Sequence, residues 1–276
     1  LDLPHARADS SRPSCSLEQS APARRAPLRS RRCSTCHLSA MRINKFFTEQ
    51  GLCSRREADR LIAEGRVTIN GVVAKLGDQV SPQDLVARDG TVLQRGNQVV
   101  YIKYHKAVGV TTTTELHVPR NIITEIGHAA RIFPIGRLDK DSSGLILLTN
   151  DGDIVNEILR VEHGHEREYR VDVDREFDES FLSQMAAGVV VLGERTRPCH
   201  MARLGPRRFR IILTEGRNRQ IRRMCQALGY RVVSLHRVRI MHITIEGLHA
   251  GQWRDLSQEE RRRLFEALGR PPESSR

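Results

Sequence analysis

No apolar run in the 276 residues approaches the ~20 that a membrane-crossing helix needs, so a soluble chain without a membrane partner is expected. The first forty residues contain no Lys and no apolar core of the kind a secretory signal carries. They hold seven Arg and much Ser, Pro and Ala without apolar periodicity, a composition that cannot bury enough surface to offset the entropy of ordering. The sequence begins with Leu, and its first Met is Met41, where periodic structure also begins. Residues 1–40 are therefore expected to be a disordered or non-native extension, with an organelle transit peptide as the alternative. Cys33-Ser34-Thr35-Cys36-His37 has the spacing of a covalent haem site, but nothing near it could build the apolar pocket that a haem requires. The six cysteines are scattered through a chain too large to need stapling, which fits free thiols in a reducing cytoplasm. Beyond residue 40 no His/Cys cluster has metal-ligand spacing and no dinucleotide-binding glycine pattern occurs, so neither metal nor cofactor is expected.

Positive charge is abundant. The formal net charge is +12, and removing the first forty residues, with seven Arg and three acids, still leaves +8 on residues 41–276. A balance of that sign favours a polyanion, because each phosphate neutralised releases a counterion. The expected partner is nucleic acid.

Residues 41–98 read as a small module. Residues 42–50 have Ile43, Phe46 and Phe47 on one helical face, and Gly51 stops the run. Ser54 and Glu57 have capping-box spacing at the start of a second helix, whose stripe is Ala58, Leu61 and Ile62 and whose end is Gly65. Asn70-Gly71 between apolar pairs predicts a tight hairpin, because both turn positions need positive φ. Arg42, Lys45, Arg55, Arg56, Arg60, Arg66 and Lys75 fall off the apolar stripes. They make either an ordinary charged face or a surface that tracks phosphates.

Residues 99–268 alternate strand and helix signals, followed by a flexible tail over 269–276. Strands are expected at 99–103, 145–149, 168–173, 209–214 and within 232–245, and helices at 151–160, after Asp178 to 187, and at 218–228 with Asn218 as cap. Ser257 and Glu260 form a second capping-box pair before a last helix. The pattern argues for an α+β chain on a mostly antiparallel sheet.

The densest motif is Gly136-Arg137-Leu138-Asp139-Lys140-Asp141-Ser142-Ser143-Gly144-Leu145. Asp139, Asp141, Ser143 and Gly144 mimic the opening of a calcium loop, but the twelfth position is Asn150 rather than a bidentate carboxylate. The residues also suit a tight turn in which both aspartates bond their own backbone. In a third reading, Asp139 is a nucleophile or general base displayed on a loop before a buried strand.

Resemblance decides among these. SRREADRLIAEGRVTINGVVAKLGDQV resembles the alpha-L RNA-binding module first seen in a small-subunit ribosomal protein. G-R-L-D-x-D-S-x-G-L followed by L-L-T-N-D-G resembles the RsuA-type branch of the pseudouridine synthases, as does GRNRQIRRM at 216–224. The resemblance spans roughly residues 41–265 and implies isomerisation of uridine to pseudouridine in large-subunit ribosomal RNA, with transfer RNA as a second candidate substrate. It implies a monomeric cytoplasmic enzyme without cofactor. A base in a stack must be flipped out to be reached. By resemblance Arg137 fills the vacated space, Asp139 meets the flipped nucleotide, and Tyr169 offers a ring to stack on uracil and a hydroxyl for proton traffic. The resemblance also implies Arg222, at the basic position after Gln220-Ile221, as the cation against Asp139, where it would favour the ionised form. Arg223 lies about 100° further round the helix and cannot face the same carboxylate. Arg219 and Arg223 are expected on RNA. One departure is Ser143, where the resemblance leads to Glu. The competing function is a non-catalytic RNA-binding protein of ribosome assembly, against which the presence of Asp139, Tyr169 and Arg222 argues.

Overall fold

The computed structural model describes residues 40–94, 96 and 98–271, so the expectations for residues 1–39, including the haem-like motif, lie outside the described residues. A short strand β1 (Met41–Arg42) leads into α1 (Ile43–Glu49) and α2 (Arg55–Ala63). Ser54 Oγ accepts from the Glu57 N–H and satisfies one donor that the helix start leaves free. The reciprocal half of the expected capping box is replaced, since the Glu57 carboxylate takes Arg60 at 2.6 Å. Strands β2 (Val67–Ile69) and β3 (Val72–Val73) join at Asn70 and Gly71, whose φ values of 51° and 81° are those the tight turn demands. β4 (Gln79–Val80) pairs with β1, and β5 (Val86–Arg88) and β6 (Thr91–Val92) complete a sheet of order β3-β2-β5-β6. Phe46, Phe47, Leu61, Ile62, Val67 and Val86 fill a core drawn wholly from this segment.

The rest of the described chain builds a larger sheet with helices. In chain order its elements are β7 (Tyr101–Lys106), α3 (Ile122–Ile126), β8 (Phe133–Ile135), β9 (Ser143–Thr149), α4 (Gly152–Leu159), β10 (Arg167–Val173) and α5 (Glu179–Ala187). A small hairpin of β11 (Val190–Val191) and β12 (Glu194–Arg195) precedes β13 (His200–Gly205), β14 (Arg208–Leu213) and α6 (Gln220–Ala227). β15 (Val232–Ile240), β16 (Ile243–Thr244), β17 (Trp253–Asp255) and α7 (Gln258–Ala267) finish it. The sheet order is β13-β14-β10-β15-β9-β7-β17, with β8 also on β9 and β16 on β15. Its pairings are antiparallel except β9 with β15, so the α+β, mostly antiparallel expectation holds.

The parallel pairing positions the site. Gly144 lies opposite Arg237 at φ 113°, and a Cβ there would sit 2.2 Å from the Arg237 carbonyl oxygen. Only glycine lets the two backbones approach so closely. The loop that ends at Gly144 is thereby docked against β15.

Helix starts follow the expected chemistry at Asp151, Asp178 and Ser257, whose side chains accept from backbone N–H groups, and Ser257 with Glu260 forms the complete capping box. The helix expected from Asn218 begins later, at Gln220. Its cap is Arg219 in a left-handed conformation, and among the described residues no side chain caps it. The strand expected over 232–245 is divided at Met241, which has φ 52°. Among the described residues no helix is long and apolar enough to cross a membrane.

Candidate active site

The loop between β8 and β9 carries Asp139, and it is held from several sides. Thr112 Oγ1 donates to the Leu138 carbonyl at 2.8 Å, and the Gly109 N–H donates to the Lys140 carbonyl at 2.8 Å. The Ser142 N–H closes a turn onto the Asp139 carbonyl at 3.1 Å. Beneath the loop lies Lys106, fully buried at the end of β7. Its ammonium donates to the carbonyls of Ser142 at 2.7 Å, Ala107 at 3.0 Å and Lys140 at 3.5 Å. Burial pushes its pKa down from 10.5 to about 8, against the pull of Asp141 and Asp139. The turn closes through backbone groups, and the Asp139 carboxylate is half-buried at the edge of a cleft.

That cleft is walled by Arg137, Leu138, Asp139, Tyr169, Arg219 and Arg222 among others. The β8–β9 loop supplies the acid, β10 supplies Tyr169, and the start of α6 supplies the arginines. Tyr169 is half-buried, paired in register with Ile211 and Arg237, and packed against the core formed by β10, β14 and the helices α5 and α6. Arg137 is exposed and has no ion pair among the described residues.

The cation beside Asp139 differs from the one expected. Arg219 Nη1 lies 3.3 Å from Asp139 Oδ2, and the same guanidinium reaches Asp141. Arg222 instead donates to the Asp141 carbonyl at 3.1 Å and to Ser142 Oγ at 3.2 Å, with the Asp141 carboxylate also at 3.2 Å. The reason is the left-handed cap. By delaying the helix to Gln220, it turns Arg219 onto Asp139 and leaves Arg222, one turn on, under Asp141 and Ser142. Arg223 donates to Asn218 Oδ1 at 3.0 Å and is not part of the cleft. Burial pushes Asp141 up, but Arg219 and Arg222 outweigh it and hold the carboxyl below its ordinary range.

Residues that sequence reasoning passed over shape the other wall. Gln220 is buried, donates to Glu215 at 2.8 Å and accepts from the Arg217 N–H, so it fixes the turn that presents Arg219. Lys106 left no clear signal, since it follows His105 in a strand that also carries Lys103. Arg219 was expected on RNA, and its place beside Asp139 was not readable, because a left-handed backbone leaves no mark in composition or period. Ser143, the departure from the family pattern, shares a hydrogen bond of 2.9 Å with His236 Nδ1 on β15.

On the small module the seven basic residues divide. Arg66 makes a two-point bond to Asp89 at 2.8 and 2.7 Å, Arg60 pairs with Glu57, and Lys45 reaches Asp153 on α4 at 2.7 Å. Lys45 thus ties the module to the larger sheet's helix instead of standing free for phosphate. Arg42, Arg55, Arg56 and Lys75 are exposed without an ion pair among the described residues. Among the described residues no group of three or more His, Cys, Asp or Glu is placed to hold a metal ion. Cys53, Cys199 and Cys225 are free thiols, and burial pushes Cys199 up to about 11 and Cys225 to about 12.

Residues 97–227 match the family model described as RNA pseudouridylate synthase, and residues 41–86 match the S4 domain. The chain is 48% identical over 232 residues to dual-specificity RNA pseudouridine synthase RluF of Escherichia coli (strain K12), covering 83% of this chain and 80% of that protein. It is 34% identical over 232 residues to ribosomal large subunit pseudouridine synthase B of Bacillus subtilis (strain 168), covering 81% and 95%. Ribosomal small subunit pseudouridine synthase A of Yersinia pestis is 34% identical over 226 residues, covering 80% and 96%. A solved pseudouridylate synthase superposes with a TM-score of 0.60 at 30% identity, covering 81% of this chain and 99% of that one.

Proposed function

The chain belongs to the RNA pseudouridine synthase family, enzymes that isomerise uridine to pseudouridine in RNA, and on that premise we propose that Asp139 is the carboxylate that does the chemistry, on large-subunit ribosomal RNA. The observation that carries the assignment is the placement of Asp139 at the edge of a cleft shared with Tyr169, its carboxylate 3.3 Å from the Arg219 guanidinium. The reaction breaks the N1–C1′ glycosidic bond, turns the uracil, and rejoins it through C5. The proton leaves C5 and N1 gains one, so atoms and electrons balance without a redox partner. Asp139 acts on the sugar, either as nucleophile at C1′ or by taking a sugar proton. Tyr169 gives the uracil a ring to stack on and a hydroxyl close to the proton at C5. Arg137, exposed at the mouth, takes the place of the flipped base. Arg219 holds Asp139 in place, and Arg222 clamps the residues that follow it.

Residues 41–98 act as the RNA-binding module and 99–268 as the catalytic domain. Arg42, Arg55, Arg56 and Lys75 are the phosphate contacts, with Arg60 and Arg66 engaging RNA only by sharing their carboxylates. Large-subunit ribosomal RNA is supported by the name of the relative from Bacillus subtilis, and a second RNA class by the dual specificity named for the Escherichia coli relative. The site of action is the cytoplasm, the enzyme acts as a monomer, and no cofactor takes part.

Asp139→Asn tests the assignment. The change keeps shape and removes the charge and the nucleophile. Turnover, read by carbodiimide-adduct primer stops on a ribosomal RNA transcript, should vanish while RNA affinity stays within a few fold. Retention of about a tenth of the wild-type rate, close to 1.4 kcal/mol of barrier, would remove Asp139 from the chemistry.

A further inference from the structure

A second cavity lies apart from the residues around Asp139. A cavity of about 580 Å³ lies between the start of α2 and the segment leading to β8, lined by Arg55, Thr114, Leu116, Ile123, Arg131 and Phe133, with α4 closing one side. Its floor is apolar and its two charged lining residues are both arginines. None of its lining residues is acidic, and neither Arg55 nor Arg131 has an ion pair among the described residues. Leu116 stands 71% exposed at its edge.

Arg55 opens α2, at the end where the helix dipole disfavours a cation. Helix stability therefore does not account for it, whereas a phosphate at that end does. The cavity is also built in advance. Lys45 pairs with Asp153 at 2.7 Å and joins α1 to α4, whose Gly152, Val155 and Asn156 form the wall beside Arg55. The segment holding Thr114 and Leu116 starts from Thr112, which bonds the residue before Asp139. The cavity and the acid loop thus share one short stretch of chain.

We propose that this cavity seats one unpaired nucleotide of the substrate RNA, its phosphate between Arg55 and Arg131 and its base on the floor of Ile123 and Phe133. The proposal rests on the enzyme's action on RNA. An apolar slot flanked by two unpaired guanidinium groups fits a nucleotide, which is flat and apolar at the base and anionic at the phosphate. Seating a neighbour of the target holds the strand while the target uridine is flipped, and draws on binding energy remote from the reacting bond.

The test uses the full chain and whichever transcript the wild type converts, among large-subunit, small-subunit and transfer RNA. Failure on large-subunit RNA then bears only on the substrate assignment. Thr114→Trp fills the cavity without changing charge, and should weaken RNA binding about fivefold or more with an unchanged salt slope. Arg131→Gln should weaken binding and make the log–log salt slope shallower by about 0.7–0.9. Both should keep the wild-type melting temperature. Leu116→Asn, at an exposed side chain and without a change of charge, repeats the test if the indole disturbs folding, and should weaken binding with an unchanged salt slope. Wild-type affinity in either Arg131→Gln or the folded cavity variant overturns the proposal.

Discussion

Arg219 brings a guanidinium nitrogen to 3.3 Å from Asp139 Oδ2, and it does so from a backbone held at φ 50°. A non-glycine residue in that region carries about 1 kcal/mol of strain, and such strain survives where surrounding contacts fix it. Here Gln220 fixes it, through its bonds to Glu215 and to the Arg217 N–H. The strained cap and the ion pair are one feature, because a regular helical start would carry the Arg219 side chain elsewhere.

Replacing Arg219 with Gly separates the two. Glycine tolerates the left-handed backbone, so thermal stability should stay level or rise slightly. The turnover rate should fall at least tenfold, since Asp139 loses its partner. Arg222→Gln should behave differently. It leaves Asp141 and Ser142 without their clamp and should lower both the melting temperature and the rate. Equal effects of the two substitutions on stability and rate would refute the division of labour between these arginines.

Much of this was legible in the sequence, for physical reasons. The Asn70-Gly71 turn, the Ser257–Glu260 cap and the strands around Val171 and Leu147 each announce themselves in a few neighbouring residues. Asp139, Tyr169, Arg219 and Arg222 come from local motifs too, and the fold brings them around one cleft. The partner of Asp139 was not legible, because Arg222 was chosen by its place in the motif, on a helix expected to start from Asn218. A left-handed cap at Arg219 breaks that premise. The Lys45–Asp153 pair was hidden for another reason. It joins residues 108 positions apart, and no periodicity links them.

Gly144 offers a test of the scaffold. Ala there would place its Cβ 2.2 Å from the Arg237 carbonyl oxygen, at φ 113°. The clash is with backbone, so no side chain can swing away. Gly144→Ala should cost about 3 kcal/mol or more, measured by urea denaturation, and should also disable the loop that ends at this residue. By contrast Gly71→Ala, with nothing within 4 Å of the added carbon, should cost only the strain of its positive φ, about 1 kcal/mol.

Lys106 predicts opposite pH trends for rate and stability. Its pKa, near 8 when folded, lies below the 10.5 it has in the unfolded chain. Between those values the unfolded chain holds a proton that the folded one has lost, so this lysine's contribution to stability rises with pH across the window. The charge beneath the Asp139 loop is lost over the same range. Turnover should therefore fall as pH passes about 8, while this lysine alone makes unfolding harder. Its 13Cε chemical shift should titrate near 8. A midpoint near 10.5 would remove Lys106 as the source of any alkaline loss of rate.

The small module should be removable without loss of fold, provided the cut is placed correctly. The cores of the larger sheet contain no residue before Val100, so deleting 41–94 leaves them intact. Asn150 bonds the Val100 N–H and the Gln98 carbonyl, and a cut beyond 98 would strip a buried side chain of its partners. The deletion also breaks the ion pair of Lys45 with Asp153, which is partly exposed at both ends and worth at most about 1 kcal/mol. The truncated chain should thus stay folded, with a melting temperature a few degrees lower at most. Arg42, Arg55, Arg56 and Lys75 go with the deletion, so affinity for structured ribosomal RNA should drop and its salt dependence should become shallower. The rate at saturating RNA should fall less than the affinity, because Asp139, Tyr169 and Arg219 all stay. A truncated chain that binds RNA as tightly as the intact one, at every salt concentration, would show that the module is not the anchor.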